Sequence, residues 1–230
     1  MKALSYLSLL AATSITALAA EPKADLAAAA AMLDSKSSYA WTSTTEIEGG
    51  QFTPAPVNGK TEKGGYTHLA TKMQDNDIEV VMKGTNVVVK TQDGWKTAAE
   101  LAGGGDGRPN FGRFFANQRT AAGDVTNILA KARDVKSADG KFTVEFSPEG
   151  AAELAAMRGR RQGAPAPKNA SASAVFWVKD GVIAKYELKS KATITTQDGE
   201  DRTMSRTTVV EVKDIGTAKV EVPAEAKSKL

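Results

Sequence analysis

From Tyr66 onward, the chain alternates short apolar–polar segments with turns of two or three residues. Four such segments in the first half are predicted strands, at residues 66–74, 78–83, 86–91 and 95–97. The turns between them, among them Asp75-Asn76-Asp77 and Asp93-Gly94, are too short for the crossover that parallel strands need. Asp-Gly between alternating segments is also a strong hairpin signal. The pattern therefore predicts an antiparallel meander.

The same alternation of apolar and polar residues occurs in the sequence before and after this meander. It predicts further strands at residues 39–48, 141–146, 172–179, 182–196 and 202–213, and a short last strand at 218–222. Asp180-Gly181 closes one of the later hairpins. Residues 51–65 are rich in proline and glycine and are predicted to form a long loop. Ten or eleven antiparallel strands are expected, with no repeat of fixed period.

A few segments with helical spacing supply the cover for this sheet. One helix starts at Asp25, and its apolar residues fall at helical spacing: Leu26, Ala29, Ala30 and Leu33. Others are predicted at residues 109–118, at 147–157 and at 124–133, where Asp124 is the N-cap and the apolar stripe consists of Val125, Ile128, Leu129 and Ala132. Ser147 and Pro148 form a typical helix start, a capping hydroxyl followed by proline. A large antiparallel sheet must bury its apolar face. We therefore predict a β-rich α+β fold, a curled antiparallel sheet (half-barrel) covered by a few helices, with an apolar cavity between them.

The amino terminus has the pattern of an export signal. Lys2 precedes an apolar run at residues 3–12, and Ala17-Leu18-Ala19 is a small-x-small cleavage site. We predict cleavage after Ala19, with Ala20 as the alternative. The run is far shorter than the ~20 residues that span a bilayer, although a retained anchor is the other interpretation. The expected organisation is a signal peptide at 1–19 and a single domain at 20–230, located in the periplasm or, as second choice, secreted.

Composition removes most familiar enzyme chemistry. The chain has no cysteine and one histidine, which excludes disulfides, thiolate metal sites and multi-histidine centres. His68 has no neighbouring nucleophile motif, and the glycines at 103–107 lack the Gly-Lys-Ser/Thr of a phosphate loop. The balance of 30 Lys+Arg against 27 Asp+Glu does not indicate a nucleic-acid binder. We predict no enzyme, no cofactor and no metal site; a secreted hydrolase is the weakest alternative.

Three stretches of the sequence resemble the periplasmic lipoprotein-localisation-factor fold, shared by LolA and the LppX/LprG lipid carriers. They are the helix-to-strand opening from Ala24-Asp25-Leu26 to Ser38-Tyr39-Ala40-Trp41, the segment from Val87-Val88-Val89 to Asp93-Gly94-Trp95, and the ending at residues 209–223. The resemblance implies a half-barrel that carries a lipid, an acyl chain or a lipoprotein. In the lipoprotein carrier an arginine on an early strand holds the lid closed, and residues 41–47 contain no arginine.

Twelve apolar and aromatic residues are candidates for the lining of the cavity. They are Trp41, Leu69, Met73, Met82, Val89, Trp95, Phe111, Phe114, Phe115, Leu129, Phe176 and Leu188. Ordinary core is the alternative interpretation, because strand register decides which side chains point inward. The mixed alternation of Val87-Val88-Val89 leaves that register open.

One basic cluster is a candidate contact with an anionic membrane surface. It consists of Arg158, Arg160, Arg161 and Lys168. Each cation near such a surface contributes about 1 kcal/mol, whereas solubilising loop charge is the simpler interpretation. The primary hypothesis is a non-enzymatic periplasmic carrier that holds an acyl chain, a lipid or a lipidated protein. The second is a protein-interaction or envelope-sensing module with the same fold and a filled core.

Overall fold

The computed structural model describes residues 21–48, 53–73, 76–103, 118–156, 166–195 and 199–230, which contain eleven strands and five helices. The elements are, in chain order, α1 (Pro22–Ser35), β1 (Ser38–Glu48), β2 (Val57–Glu62), β3 (Thr67–Met73), β4 (Asn76–Lys83), β5 (Asn86–Thr91), β6 (Gly94–Thr97), α2 (Ala98–Gly103), α3 (Ala121–Leu129), β7 (Ala132–Ala138), β8 (Lys141–Phe146), α4 (Pro148–Ala155), β9 (Lys168–Lys179), β10 (Val182–Thr195), β11 (Asp201–Lys213) and α5 (Ala224–Lys227).

All eleven strands belong to one antiparallel sheet in the order β6-β5-β4-β3-β2-β1-β11-β10-β9-β8-β7. Two meanders, β1–β6 and β7–β11, are joined where β1 pairs with β11, for example Trp41 with Val212. The strand order leaves β6 and β7 as open edges, so the sheet does not close into a barrel. Together with the few helices, this confirms the predicted half-barrel class.

The hairpin signals and strand positions of the sequence are largely confirmed. Strands β5 and β8 have the predicted bounds, and the helix predicted at 147–157 is found as α4, with Ser147 as its N-cap. The Ser147 hydroxyl accepts a hydrogen bond from the backbone N–H of Gly150 at 3.1 Å. The helix predicted at 109–118 lies outside the described residues.

Three local predictions are wrong. The loop predicted at 51–65 contains β2, which pairs with both β1 and β3 and needs no strong strand propensity of its own. The helix predicted at 124–133 is capped by Thr120 and ends at Leu129, because the following residues form β7 and pair with β8. The strand predicted at 218–222 has no strand partner; the backbone N–H of Val220 donates to Glu62 Oε1 instead, at 3.0 Å.

The main core lies between the inner face of the sheet and helices α1, α3 and α4. Helix α1 packs on α3, β10 and β7, and α4 packs on β8, β9 and β10. The predicted apolar stripe of α1 is fully buried: Leu26, Ala29, Ala30 and Leu33. On the sheet, Phe176 stacks on Tyr186 with their ring centroids 5.5 Å apart. The ring centroids of Tyr39 and Trp41 are 5.6 Å apart. Side chains of the protein therefore fill most of this layer.

A second, smaller core lies on the outer face of β4–β6, beneath residues 218–230, which we call the C-terminal segment. Ala226 of α5 is buried against Val81, Val88 and Trp95. Polar contacts hold the segment at several points: the Asn86 side chain donates to Leu230 O at 3.1 Å, Lys229 Nζ lies 3.0 Å from Glu100 Oε1, and the Trp95 N–H donates to Glu225 Oε1 at 3.3 Å. The segment thus covers the outer side of edge strand β6.

Candidate functional site

An open groove of about 710 Å³ lies between helices α1 and α3 and the ends of strands β3 and β4. Its lining consists of Ala27, Ala30, Ala31, Asp34, Gly65, Thr67, Met82, Gly84, Gln118, Arg119, Thr120, Ala122, Gly123, Thr126 and Leu129. Small side chains and glycines predominate in this set, so the groove exists because both helices present little volume to it.

Helix α1 forms one wall of the groove with a face of alanines. Ala27, Ala30 and Ala31 are three and four residues apart, and side chains at that spacing share one side of a helix. Ala30 is buried, whereas Ala27 and Ala31 are exposed. Met82 of β4 and Leu129 of α3 add larger apolar side chains. Methionine adapts its shape easily, which suits a surface that contacts a flexible ligand.

Helix α3 forms the opposite wall, and two tyrosines of the sheet fix its first turn. The backbone N–H of Ala122 donates to the Tyr39 hydroxyl at 3.4 Å, and the Tyr186 hydroxyl donates to Asp124 Oδ2 at 2.9 Å. Thr120 caps the helix by accepting a hydrogen bond from Gly123 N–H at 3.1 Å. Burial raises the pKa of the Tyr39 phenol above its ordinary value, because a phenolate would lose hydration there. Tyr39 is therefore a neutral anchor for α3.

Two charged residues of opposite sign belong to the lining of the groove. Asp34 is exposed near the carboxyl end of α1, and Arg119 is exposed immediately before the N-cap of α3. Helix dipoles place partial negative charge at a carboxyl end and partial positive charge at an amino end. The groove is consequently polarised, negative on the α1 side and positive on the α3 side.

The structure distributes the twelve predicted lining residues over several places. Two line the groove: Met82 and Leu129. Four are buried in the main core: Trp41, Leu69, Val89 and Phe176. Two are partly buried against that core: Met73 and Leu188. One lies in the outer cluster under the C-terminal segment: Trp95. Three lie outside the described residues: Phe111, Phe114 and Phe115. The prediction thus mixed groove residues with residues that fill the core.

Of the predicted basic cluster, Arg158, Arg160 and Arg161 lie outside the described residues. Lys168 is at the start of β9, and its Nζ lies 2.9 Å from Asp201 Oδ2 of β11. Lys168 therefore takes part in an ion pair within the protein. The predicted contact with an anionic membrane stays a prediction.

His68 lies on the outer face of the sheet, opposite the groove, which its neighbour Thr67 lines from the inner face. Its Nε2 is 3.2 Å from Glu79 Oε2, and Lys90 also pairs with Glu79. The hydrogen bond from Lys90 lowers the pKa of the Glu79 carboxyl below its usual range. Among the described residues, no group of three or more His, Asp or Glu side chains is placed to hold a metal ion. The histidine thus joins a surface network of polar contacts around Glu79.

Sequence reasoning also missed an arginine on the inner face. The register places Arg206 of β11 opposite Ile47 of β1 and Ser190 of β10. Because side chains alternate along a strand, Arg206 shares the inward face of Val210, which is buried in the core. The absence of arginine from residues 41–47 concerns β1 alone. Only the pairing of β1 with β11, a contact between opposite ends of the chain, reveals this one.

The fold and the groove define a class of protein: a curled antiparallel sheet whose inner face packs on helices and leaves a groove at the helix–sheet boundary. The solved structures that resemble it include the two described next. LprF from Mycobacterium bovis shares 12% identity over 89% of this chain and 97% of its own, with a TM-score of 0.43. The LolA superfamily protein NE2245 from Nitrosomonas europaea shares 11% over 88% and 96%, with a TM-score of 0.36.

A LolA superfamily protein is thus among the solved structures to which the chain is similar. At these identities the likeness concerns the fold alone. No family model matches the chain, and no curated protein is significantly similar to it in sequence. None of the helices in the described ranges has the length and apolar character that a membrane crossing requires.

Proposed function

We propose that this protein is an exported, non-enzymatic binding protein that holds an acyl chain or the acyl part of a lipid in the groove between α1, α3 and the sheet. The volume and lining of the groove carry the proposal. About 710 Å³ falls within the roughly 300–1,000 Å³ of small-molecule sites. Alanines, Met82 and Leu129 make up its apolar surface.

Burial of apolar surface would drive binding. Each methylene group that leaves water contributes about 0.8 kcal/mol, so an acyl chain that lies along the alanine face gains affinity with length. The alanines, Met82 and Leu129 require no directional contact along the chain, whereas the polar part of the lining comes from Asp34, Gln118, Arg119 and the threonines. The site therefore favours ligands by length and flexibility more than by a specific functional group along the tail.

A second function is supported by the main core. Trp41 is 4% exposed, and Phe176 and Tyr186 are 0% and 1% exposed, so the protein's own side chains occupy the centre of the layer between sheet and helices. A protein-interaction or envelope-sensing module would have such a filled core. This second hypothesis predicts that the protein binds a protein partner and carries no lipid.

The deciding experiment compares two phenylalanine substitutions on α1. Ala27→Phe places a large side chain in the groove, whereas Ala28→Phe makes the same change at an exposed alanine that does not line it. The mature chain from Ala20 is extracted for lipid mass spectrometry and titrated with a fluorescent fatty acid. We expect Ala27→Phe to lose most of the bound lipid and to weaken the probe at least about tenfold, a loss of about 1.4 kcal/mol. Ala28→Phe should behave like the wild type.

Two results would contradict the proposal. A mature protein that yields no lipid and ignores the probe would exclude acyl-chain binding and favour the interaction module. Equal binding by Ala27→Phe and Ala28→Phe would show that the ligand lies elsewhere. Circular dichroism and thermal unfolding of both variants establish that each is folded.

A further inference from the structure

We infer that the outer face of β4–β6 is a peptide-docking site, which the C-terminal segment occupies within its own molecule and which the same segment of a second copy of the chain can occupy in its place. The site lies on the face of the sheet opposite the groove, so the inference does not depend on the proposed function. Three features carry it: an apolar floor that is held from the other side of the sheet, polar groups that match those of the segment, and the linker that precedes the segment.

The apolar floor of the site belongs to strands that the main core holds in place. Val81 of β4 and Val88 of β5 face the C-terminal segment, whereas their neighbours Val80 and Val89 point into the main core. Trp95 of β6 completes the floor. Because the inner faces of β4 and β5 stay packed, the floor keeps its shape when the segment detaches. An empty site would then expose a contiguous apolar surface beside an open sheet edge, which favours a new occupant.

The segment places one small side chain on this floor and one carboxylate at the sheet edge. Ala226 is 0% exposed and packs against the floor. Since β6 is an edge strand, alternate backbone N–H groups point away from the sheet. The N–H of Trp95 donates to Glu225 Oε1 at 3.3 Å. The segment therefore provides an acceptor that a neighbouring strand would otherwise provide.

The end of the segment is held by a matched set of polar groups. Lys229 Nζ lies 3.0 Å from Glu100 Oε1 of α2, and the Asn86 side chain donates to Leu230 O at 3.1 Å. The other carboxylate oxygen of Glu100 accepts the N–H of Thr97 at 2.6 Å. The lysine of the segment thus pairs with the same carboxylate that covers β6 at its second outward N–H. These contacts define the occupant as a peptide with a small apolar residue between an acidic residue and a lysine.

The linker permits an exchange of segments between two molecules. Residues 214–223 lie wholly within the described part of the chain and contain neither helix nor strand. Ten residues span about 33–36 Å when fully extended. An identical segment from a second copy would make every contact that the structure shows, which is the basis of exchange between protomers. A tethered segment has an effective concentration on the order of millimolar, so each molecule covers its own site in dilute solution.

The test measures access to the site in the mature full-length chain. A fluorescein-labelled peptide of residues 218–230 is titrated by fluorescence polarisation. Ala226→Glu in the protein puts a charge against the apolar floor and so removes the tethered competitor without changing the floor. We expect this variant to bind the peptide at least about tenfold more tightly than the wild type, because tethering ordinarily exceeds free binding by more than that. Ala224→Glu, at an exposed alanine of the same helix, is the matched control and should bind like the wild type.

Occupation by a second copy is tested by mixing two full-length variants. Trp95→Glu damages the floor and leaves its own segment free, whereas Ala226→Glu has an intact floor and a segment that cannot dock. Each variant alone should be monomeric by size exclusion with light scattering. Their mixture should contain a 1:1 heterodimer, and the same mixture prepared with unlabelled peptide in excess should not.

The outcomes are distinct from those for acyl-chain binding, which the groove variants test. Circular dichroism establishes that each variant is folded. A folded Ala226→Glu chain that ignores the peptide, or a wild type that binds it equally tightly, would overturn the docking site. A mixture that contains monomers alone would overturn the exchange between copies. If Ala226→Glu does not fold, Lys229→Gln removes only the ion pair to Glu100 and should raise peptide affinity about two- to fivefold; unchanged affinity there would also refute the inference.

Discussion

Gly59→Ala tests whether the protein's own side chains fill the layer between sheet and helices. Gly59 of β2 pairs with Trp41 of β1, and the indole of Trp41 lies directly over it. A methyl group on Gly59 would overlap Cε2 and Cζ2 of the indole and lie 2.7 Å from Cδ2. Because Trp41 is 4% exposed, its ring has little free space into which it can move.

The sign of the change in stability distinguishes a filled core from one in which Trp41 borders an open cavity. In the interior of a strand, alanine is ordinarily more stable than glycine by about 0.5–1 kcal/mol. Overpacking a filled core costs about 1–3 kcal/mol. We therefore expect Gly59→Ala to lower the free energy of unfolding by a net ~1–2 kcal/mol, since the overlap outweighs the gain. For a domain of this size, that is a decrease in Tm of about 2–8 °C.

Thermal unfolding followed by circular dichroism measures the change, and a double-mutant cycle with Trp41→Leu identifies its cause. In the Trp41→Leu background the overlap is gone, so Gly59→Ala should become neutral or stabilising. An increase in Tm on Gly59→Ala in the wild-type background would refute the reasoning. It would mean that the indole moves freely and borders an open cavity, as the carrier hypothesis first assumed for Trp41.

Two further predictions concern the anchoring of the helices. Tyr186→Phe removes the hydrogen bond to Asp124 and should lower the free energy of unfolding in urea by about 1.5–3 kcal/mol, whereas Tyr66→Phe on the outer face should have little effect. A hydrogen bond from the Thr97 backbone N–H, assisted by one from Lys229, lowers the pKa of Glu100 from 4.5 to about 2. The contribution of Glu100 to stability is therefore present above pH 4.5 and lost as pH falls through about 2. The Tm advantage over Glu100→Gln should shrink across that range; an advantage that is constant from pH 6 to pH 2 would contradict this.

The hairpins could be predicted from sequence because their turns carry local conformational requirements. Asp180 and Gly181 both have positive φ, 52° and 75°, as the tight turn between β9 and β10 demands. Strand β7 could not be predicted in this way. It is a charged edge strand with one buried residue, Val135, and such strands lack the alternation that identifies a half-buried one. The apolar spacing that extends from α3 to Ala132 therefore suggested a longer helix.

The outer core explains why the register of β5 was ambiguous. Val87 and Val89 belong to the main core, while Val88 faces Trp95 and Ala226 under the C-terminal segment. Both faces of the strand are covered, so the sequence is apolar at successive positions and indicates no preferred face. The cover comes from residues more than a hundred positions away. Neither local periodicity nor composition contains that information, which is why Trp95 was assigned to the inner face.

The groove could not be predicted from local patterns either, because it too depends on contacts between parts of the chain that are distant in sequence. The buried stripe of α1 was predicted, whereas exposed Ala27 and Ala31 line the groove only because α3 packs beside α1. Arg119 was not a candidate either, since its position depends on where α3 begins. The alanine-rich composition of α1 was the one available signal, because small side chains on two packed helices leave space between them.

The anchoring of α3 bears on how a ligand reaches the groove. Tyr39 and Tyr186 hold its first turn to the sheet, and its last turn leads within two residues into β7, which pairs with β8. A helix fixed at both ends is a poor gate, because opening it would break buried hydrogen bonds and disturb an edge strand. Among the described residues, the groove is open on one side. If the protein binds an acyl chain as proposed, exchange by sliding along the alanine face of α1 requires less rearrangement than the opening of α3.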